Sequence, residues 1–158
     1  MSEPEIVVLE ETTTAVIRAV VPMAELRGFF DRSFTTLFRV VAAQGVTPAG
    51  AAFGLYRGEP ADPVDLEVGF ATDRPVRPDG EVEPGSLPAG RVARLIHEGG
   101  FDGLGSSWQK LQSWIVEQGL IPGGVLWEVY LVEPSPDMDP TDLRTELNWP
   151  VVDGNAAP

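Results

Sequence analysis

The amino-acid sequence predicts an α+β domain in which tandem duplicated βαββ units share one antiparallel sheet, with two long helices and a central ligand cleft. The first observation behind this is an internal repeat. Residues 44–60 set against 118–134 at a constant offset of 74 agree at 7 of 17 positions, including Gly45/Gly119, Pro48/Pro122 and Tyr56/Tyr130. After a three-residue insertion, residues 62–66 match 139–143 at four of five positions. A second observation is that β-branched runs flank an amphipathic helical pattern in each copy. The third is composition: 17 glycines and 15 prolines in 158 residues are too many for a helical bundle, while 43% apolar residues suffice for a core.

The elements follow in order. Repeat 1 spans 5–72. Residues 6–21 carry Val7, Val8, Thr12, Val16 and Ile17, which predicts a strand bent or broken in its middle. Pro22 precedes a helix over 24–43, with Leu26, Phe30, Phe34, Leu37 and Val41 at helical spacing, and Gly45 ends it. Strands follow at 51–56 and 64–71. Residues 73–88, with four prolines, read as a linker that holds at most a short strand near 81–83. Repeat 2 spans 89–151: a strand over 91–97, a helix capped by Asp102 and running to 118, and strands at 126–132 and 143–149. Leu104, Trp108, Leu111 and Ile115 mark the apolar face of that helix. Residues 152–158 are expected to be a loose tail.

One core of this size makes a single domain of residues 1–158. Eleven basic against 24 acidic side chains give a net charge of −13, which argues against nucleic-acid binding and favours a cationic partner. The chain has no cysteine and one histidine, so thiolate chemistry and multi-histidine metal sites are excluded, and no metal or cofactor is expected. No run approaches the length of a membrane span, and the acidic start, Ser2-Glu3-Pro4-Glu5, does not resemble a signal peptide. A soluble cytoplasmic protein is expected.

The run Leu126-Trp127-Glu128-Val129-Tyr130-Leu131 carries the strongest chemical signal, a single carboxylate in an otherwise apolar strand. Its period of two places Leu126, Glu128 and Tyr130 on one face and Trp127, Val129 and Leu131 on the other. Glu128 either faces solvent on a half-exposed sheet or is buried, and the tyrosine sharing its face favours burial. A buried carboxylate is costly without a partner and its pKa rises. The repeat sets Glu128 against Gly54 and Tyr130 against Tyr56, which would group the two tyrosines and the carboxylate about a pseudo-twofold axis. His97 is either an acid–base group or a strand-end residue bonded to a loop. Trp108 and Trp114 both read as core before ligand platform, and Trp108, close to Phe101, is the better pocket candidate of the two. Asp137, Asp139 and Asp142 lack the glycine of a calcium loop and read as a turn.

Several segments, taken in order over 87–151, match a known pattern: Leu87-Pro88-Ala89-Gly90-Arg91, His97-Glu98-Gly99-Gly100-Phe101-Asp102, residues 114–119, Trp127-Glu128-Val129-Tyr130, and Thr145-Glu146-Leu147-Asn148-Trp149-Pro150-Val151. The sequence thereby resembles the GyrI-like small-molecule-binding family, the fold also found as the effector-binding domain of AraC-type and MerR-type regulators. The resemblance implies paired βαββ units around a cleft for hydrophobic, often cationic, aromatic compounds. It assigns Glu128 as the anion at the pocket floor, with Tyr130, Tyr56, Phe101, Trp108, Asn148 and His97 as further ligand-binding candidates. Gly100 stands where the family usually has proline, Phe101 where it has tyrosine, and Asn148 where an aromatic is common. A stand-alone form without a DNA-binding segment is expected.

Three functions are compatible with this reading. The leading one is binding and sequestration of a planar, apolar, cationic small molecule, which would make the protein a multidrug-binding or antibiotic-resistance factor. In the second, also implied by the resemblance, the domain hydrolyses reactive cyclopropanoid natural products, with Glu128 as general base and Tyr56 or Tyr130 polarising a carbonyl. The third is an acidic module that inhibits a protein such as DNA gyrase by contact.

Overall fold

In the computed structural model, which describes residues 3–57, 63–132 and 138–154, the N-terminal β-branched stretch divides at Glu10 and Glu11. The halves are β1 (Glu5–Leu9) and β2 (Thr12–Val21). Both pair antiparallel with a second divided strand, β5 (Val82–Leu87) and β6 (Gly90–Glu98). Leu9 opposes Gly90 and Thr12 opposes Leu87, so the register continues through the break and the four strands form one bent ribbon. Pro88, which has no N–H to donate, and Gly90, at φ +124°, mark the bend on the second arm. The segment expected to be a linker therefore ends in a six-residue strand.

The rest of the sheet joins the two ends of this ribbon. The order is β1-β6-β9-β8-β3-β4-β2-β5, where β3 is Pro48–Arg57, β4 is Val64–Thr72, β8 is Val125–Tyr130 and β9 is Arg144–Asp153. Every strand pairing is antiparallel. The short β7 (Leu120–Pro122) pairs with the end of β9, where Ile121 opposes Val152, and Arg91 holds Asp153 at 2.6 Å. Residues 152 and 153 are thus strand, not the start of a loose tail.

Both helices cover one face of the sheet. α1 (Leu26–Ala43) follows a short 3-10 turn at Met23–Glu25, and α2 (Leu104–Glu117) follows another at Phe101–Gly103. The offset of 74 continues through them, since Leu37 and Val41 of α1 and their counterparts Leu111 and Ile115 of α2 are all fully buried in the same core. Gly45 and Gly119 close the helices at φ +67° and +74°. At the first of these, Val46 N–H bonds to Val41 and Gly45 N–H to Ala42, which satisfies the last carbonyls of α1. Asp102 does not cap α2: it lies inside the 3-10 turn, and Gly103 is the N-cap, without a side-chain bond.

Among the described residues no α-helix covers the other face, yet Val16, Phe53, Leu55, Val92 and Trp127 are buried there. Their cover comes from the curled ribbon, through Val7, Leu9 and Leu87. Gly69 of β4 is the tightest point, because a Cβ at this position would overlap the carbonyl oxygen of Ala15 on β2. Gly69→Ala is expected to cost about 1–3 kcal/mol, because the neighbour is backbone and cannot turn aside. A urea midpoint equal to that of the wild type would show that the β2–β4 pairing opens freely.

Candidate functional site

β3 and β8 are neighbours at the centre of the sheet, and their register pairs Gly54 with Glu128. These two residues are also counterparts at the repeat offset of 74. Register and repeat coincide only at this pair, so the pseudo-twofold axis passes between them and the single carboxylate stands beside it. The duplicated strands then bring Tyr56 and Tyr130 in from either side.

Both hydroxyls donate to the same carboxylate oxygen, Glu128 Oε1, Tyr130 at 3.0 Å and Tyr56 at 3.3 Å. From above, α2 directs the indole N–H of Trp108 to Oε2 at 2.9 Å. Glu128 is 5% exposed. Burial raises its pKa, and the bonds from Trp108, Tyr130 and Tyr56 work against that rise. Burial, followed by the nearby carboxylate charge, pushes both tyrosines well above the usual phenol range, so they remain donors at physiological pH. Gly54 makes this arrangement possible, because a Cβ there would stand 3.0 Å from the Tyr130 hydroxyl and 3.3 Å from Phe30 Cζ.

An aromatic series leads from this carboxylate along α1. Phe30 meets Tyr130 edge-on at 6.0 Å and stacks with Phe34 at 6.2 Å. Phe70 of β4 stacks with Phe34 at 6.5 Å and with Phe38 at 4.9 Å. Phe38 is 53% exposed, so the series runs from the buried anion to the surface. Helical spacing puts Phe30 and Phe34 in the core stripe, and Phe38 lies outside the stripe as read from the sequence. The signal was available, since the three phenylalanines recur every four residues and Phe34 is the repeat counterpart of Trp108.

The other predicted site residues divide. Tyr56 and Tyr130 meet at Glu128, the grouping that the repeat offset predicts, and Trp108 joins them from α2, a contact that the sequence did not indicate. His97 is buried and held by its own loop: Nε2 lies 2.8 Å from the Gly100 carbonyl, which can only accept, so Nε2 donates, and Nδ1 lies 2.7 Å from the Ser107 hydroxyl, from which it accepts when the ring is neutral. This is the strand-end role. Phe101 opens the 3-10 turn before α2, and its side chain lies outside the described residues. Asn148 is on the opposite face of the sheet from Glu128, because β9 turns Leu147 and Trp149 toward the helices. It is wholly buried, bonded to Arg94 Nε at 2.9 Å and Glu146 at 3.1 Å, and does not line the cleft. Among the described residues no group of three potential ligands could hold a metal, and no helix is long and apolar enough to cross a membrane. Asp139 makes a turn, accepting from Thr141 N–H at 3.0 Å, while Asp137 lies outside the described residues.

Removing one hydroxyl leaves the buried carboxylate short of a donor. Tyr130→Phe and Tyr56→Phe are each expected to cost roughly 1–2 kcal/mol of folding stability at pH 8, with the larger loss at Tyr130. Denaturation curves that coincide with the wild type for both variants would mean that water replaces the hydroxyls without loss.

The fold recurs in solved structures. The C-terminal domain of EcmrR superimposes with a TM-score of 0.85 at 19% identity, covering 97% of this chain and 99% of that one. The chain spans only 58% of the EcmrR chain in its DNA complex, again at TM-score 0.85, with 20% identity over 96% of this chain. A hydrolase from Listeria innocua gives 0.67 at 13% identity, with 95% and 92% of the two chains covered. SAV2435, in a structure bound to tetraphenylphosphonium, gives 0.62 at 15% identity, with 95% and 94% covered. At these identities the likeness is one of fold. No curated protein matches the chain by sequence. The model of the GyrI-like small molecule binding domain matches residues 2–152, which takes in both repeats and the carboxylate between them. The chain therefore belongs to the GyrI-like family of small-molecule-binding domains.

Proposed function

We propose that the domain binds a hydrophobic aromatic cation between its two helices, with Glu128 as the counter-charge, and so sequesters it. The observation that carries this is the lone carboxylate on the pseudo-axis, reached through an aromatic series that begins at the surface. Aromatic faces attract a cation by roughly 0.5–2 kcal/mol each, and a desolvated anion adds selectivity for charge. The tetraphenylphosphonium bound by SAV2435, a neighbour of the same fold, is a ligand of this chemistry. Hydrolysis fits the geometry less well. Both tyrosine hydroxyls already donate to Glu128, so either would have to leave the carboxylate before it could polarise a substrate carbonyl.

Calorimetric titration with three ligands of similar shape tests the proposal. Tetraphenylphosphonium should bind more tightly than neutral triphenylphosphine oxide, and the anion tetraphenylborate least of all. Equal affinities, or preference for the borate, would overturn it.

A further inference from the structure

We propose that the sheet carries a second ligand site on the face turned away from the helices, suited to a single aromatic ring with a short ammonium arm. A cavity of about 330 Å³ opens there. It lies where the ribbon bends, lined by Leu9 from the first arm, Leu87 from the second, and Trp127 and Val129 of β8. Alternation along β8 separates it from the first site, because Glu128 and Tyr130 project to the helix side and Trp127 and Val129 to this one. The inference does not rest on the proposed role of Glu128.

The polar end of the cavity determines the charge it takes. Arg94 and Glu146 both line it and form an ion pair at 3.1 Å, with side chains only 23% and 17% exposed. Arg94 also donates through Nε to Asn148 Oδ1, and Asn148 returns a bond to Glu146 Oε1, so the guanidinium is fixed from two sides. It is in no position to swing toward an anion. Glu146 meets both Arg94 and Asn148 through the same oxygen, Oε1, and Glu10, also in the lining, has no ion pair among the described residues. Two carboxylates against one paired guanidinium leave a net negative end beside apolar walls. The volume is at the small end of the range for ligand pockets, which suits one ring and not several.

The test titrates 2-phenylethylammonium into full-length protein and follows backbone amide shifts. In Glu128→Gln, with the first site's charge removed, affinity should stay within about twofold of the wild type, and shifts should centre on Leu9, Leu87 and Trp127. Glu10→Gln, a change at an exposed position, should weaken binding about threefold. Glu146→Gln should weaken it tenfold or more and improve binding of phenylacetate, because Arg94 then loses its neutralising partner. Leu87→Trp should fill the cavity and abolish binding. Loss of binding in Glu128→Gln would reduce the protein to one site. Phenylacetate binding wild type as tightly as the amine, or undiminished binding in both Leu87→Trp and Glu10→Gln, would also overturn the proposal.

Discussion

Replacing Glu128 with Gln is expected to weaken tetraphenylphosphonium binding by about thirtyfold or more, and to change triphenylphosphine oxide binding by less than about threefold. Glutamine keeps the shape of the side chain, and its oxygen can still accept from Trp108 or a tyrosine, so the pocket walls stay in place. What is lost is the charge. A buried, hydrogen-bonded charge interaction that loses one partner typically costs 2–5 kcal/mol, and about 2 kcal/mol already corresponds to thirtyfold. On the proposed reading neutral and cationic ligands would use the same aromatic series, so the ratio of their losses isolates the electrostatic part. Equal losses for both ligands, measured by calorimetry, would mean that Glu128 acts through packing and that the aromatic walls alone select the ligand.

Much of this site could be read in the sequence because its causes are local. Alternation along β8 placed Glu128 and Tyr130 on one face, and the repeat offset paired Tyr56 with Tyr130, whose hydroxyls meet at one carboxylate oxygen. The same alternation, applied to β9, would have put Asn148 on the other face; the resemblance to the family pattern made it a pocket residue instead. The ribbon was hidden for a different reason. β1 pairs with β6 and β2 with β5 across long separations in sequence, and no local pattern records which strand another will choose. Pro84 and Gly85 within β5 gave that stretch the composition of a linker, although an edge strand tolerates both. The second cavity follows from the bend in that ribbon, so it too was out of reach of a reading element by element. Phe30, Phe34 and Phe38 show a further limit: helical spacing groups residues on a face, but it does not say whether that face meets the sheet or a cleft.

Cation affinity is expected to rise with pH through the raised pKa of Glu128 and to level off above it. Burial is the main cause of the rise, and the donors Trp108, Tyr130 and Tyr56 limit it, so the midpoint lies above the ordinary glutamate value of 4.5. Below the midpoint the ligand must displace a proton, and affinity should fall about tenfold for each pH unit, with close to one proton released on binding. Stability should move in the opposite direction. A carboxyl group whose pKa is higher in the folded than in the unfolded chain binds more protons when folded, so stability decreases as pH rises between the two values. Glu67 complicates that second measurement, because burial also raises its pKa, against the opposing pull of Arg57 at 2.9 Å and of Arg18. It faces away from the helices, on the side of the sheet opposite Leu66 and Val68, and so should leave affinity for the helix-side ligand untouched. Glu128→Gln should therefore abolish the pH dependence of tetraphenylphosphonium affinity and remove only part of the pH dependence of stability, whereas Glu67→Gln should change stability alone. Calorimetry in buffers of different ionisation heat counts the released proton directly. Wild-type affinity that stays flat from pH 4 to 8, with no proton released, would show that Glu128 is ionised throughout and that its three donors outweigh its burial.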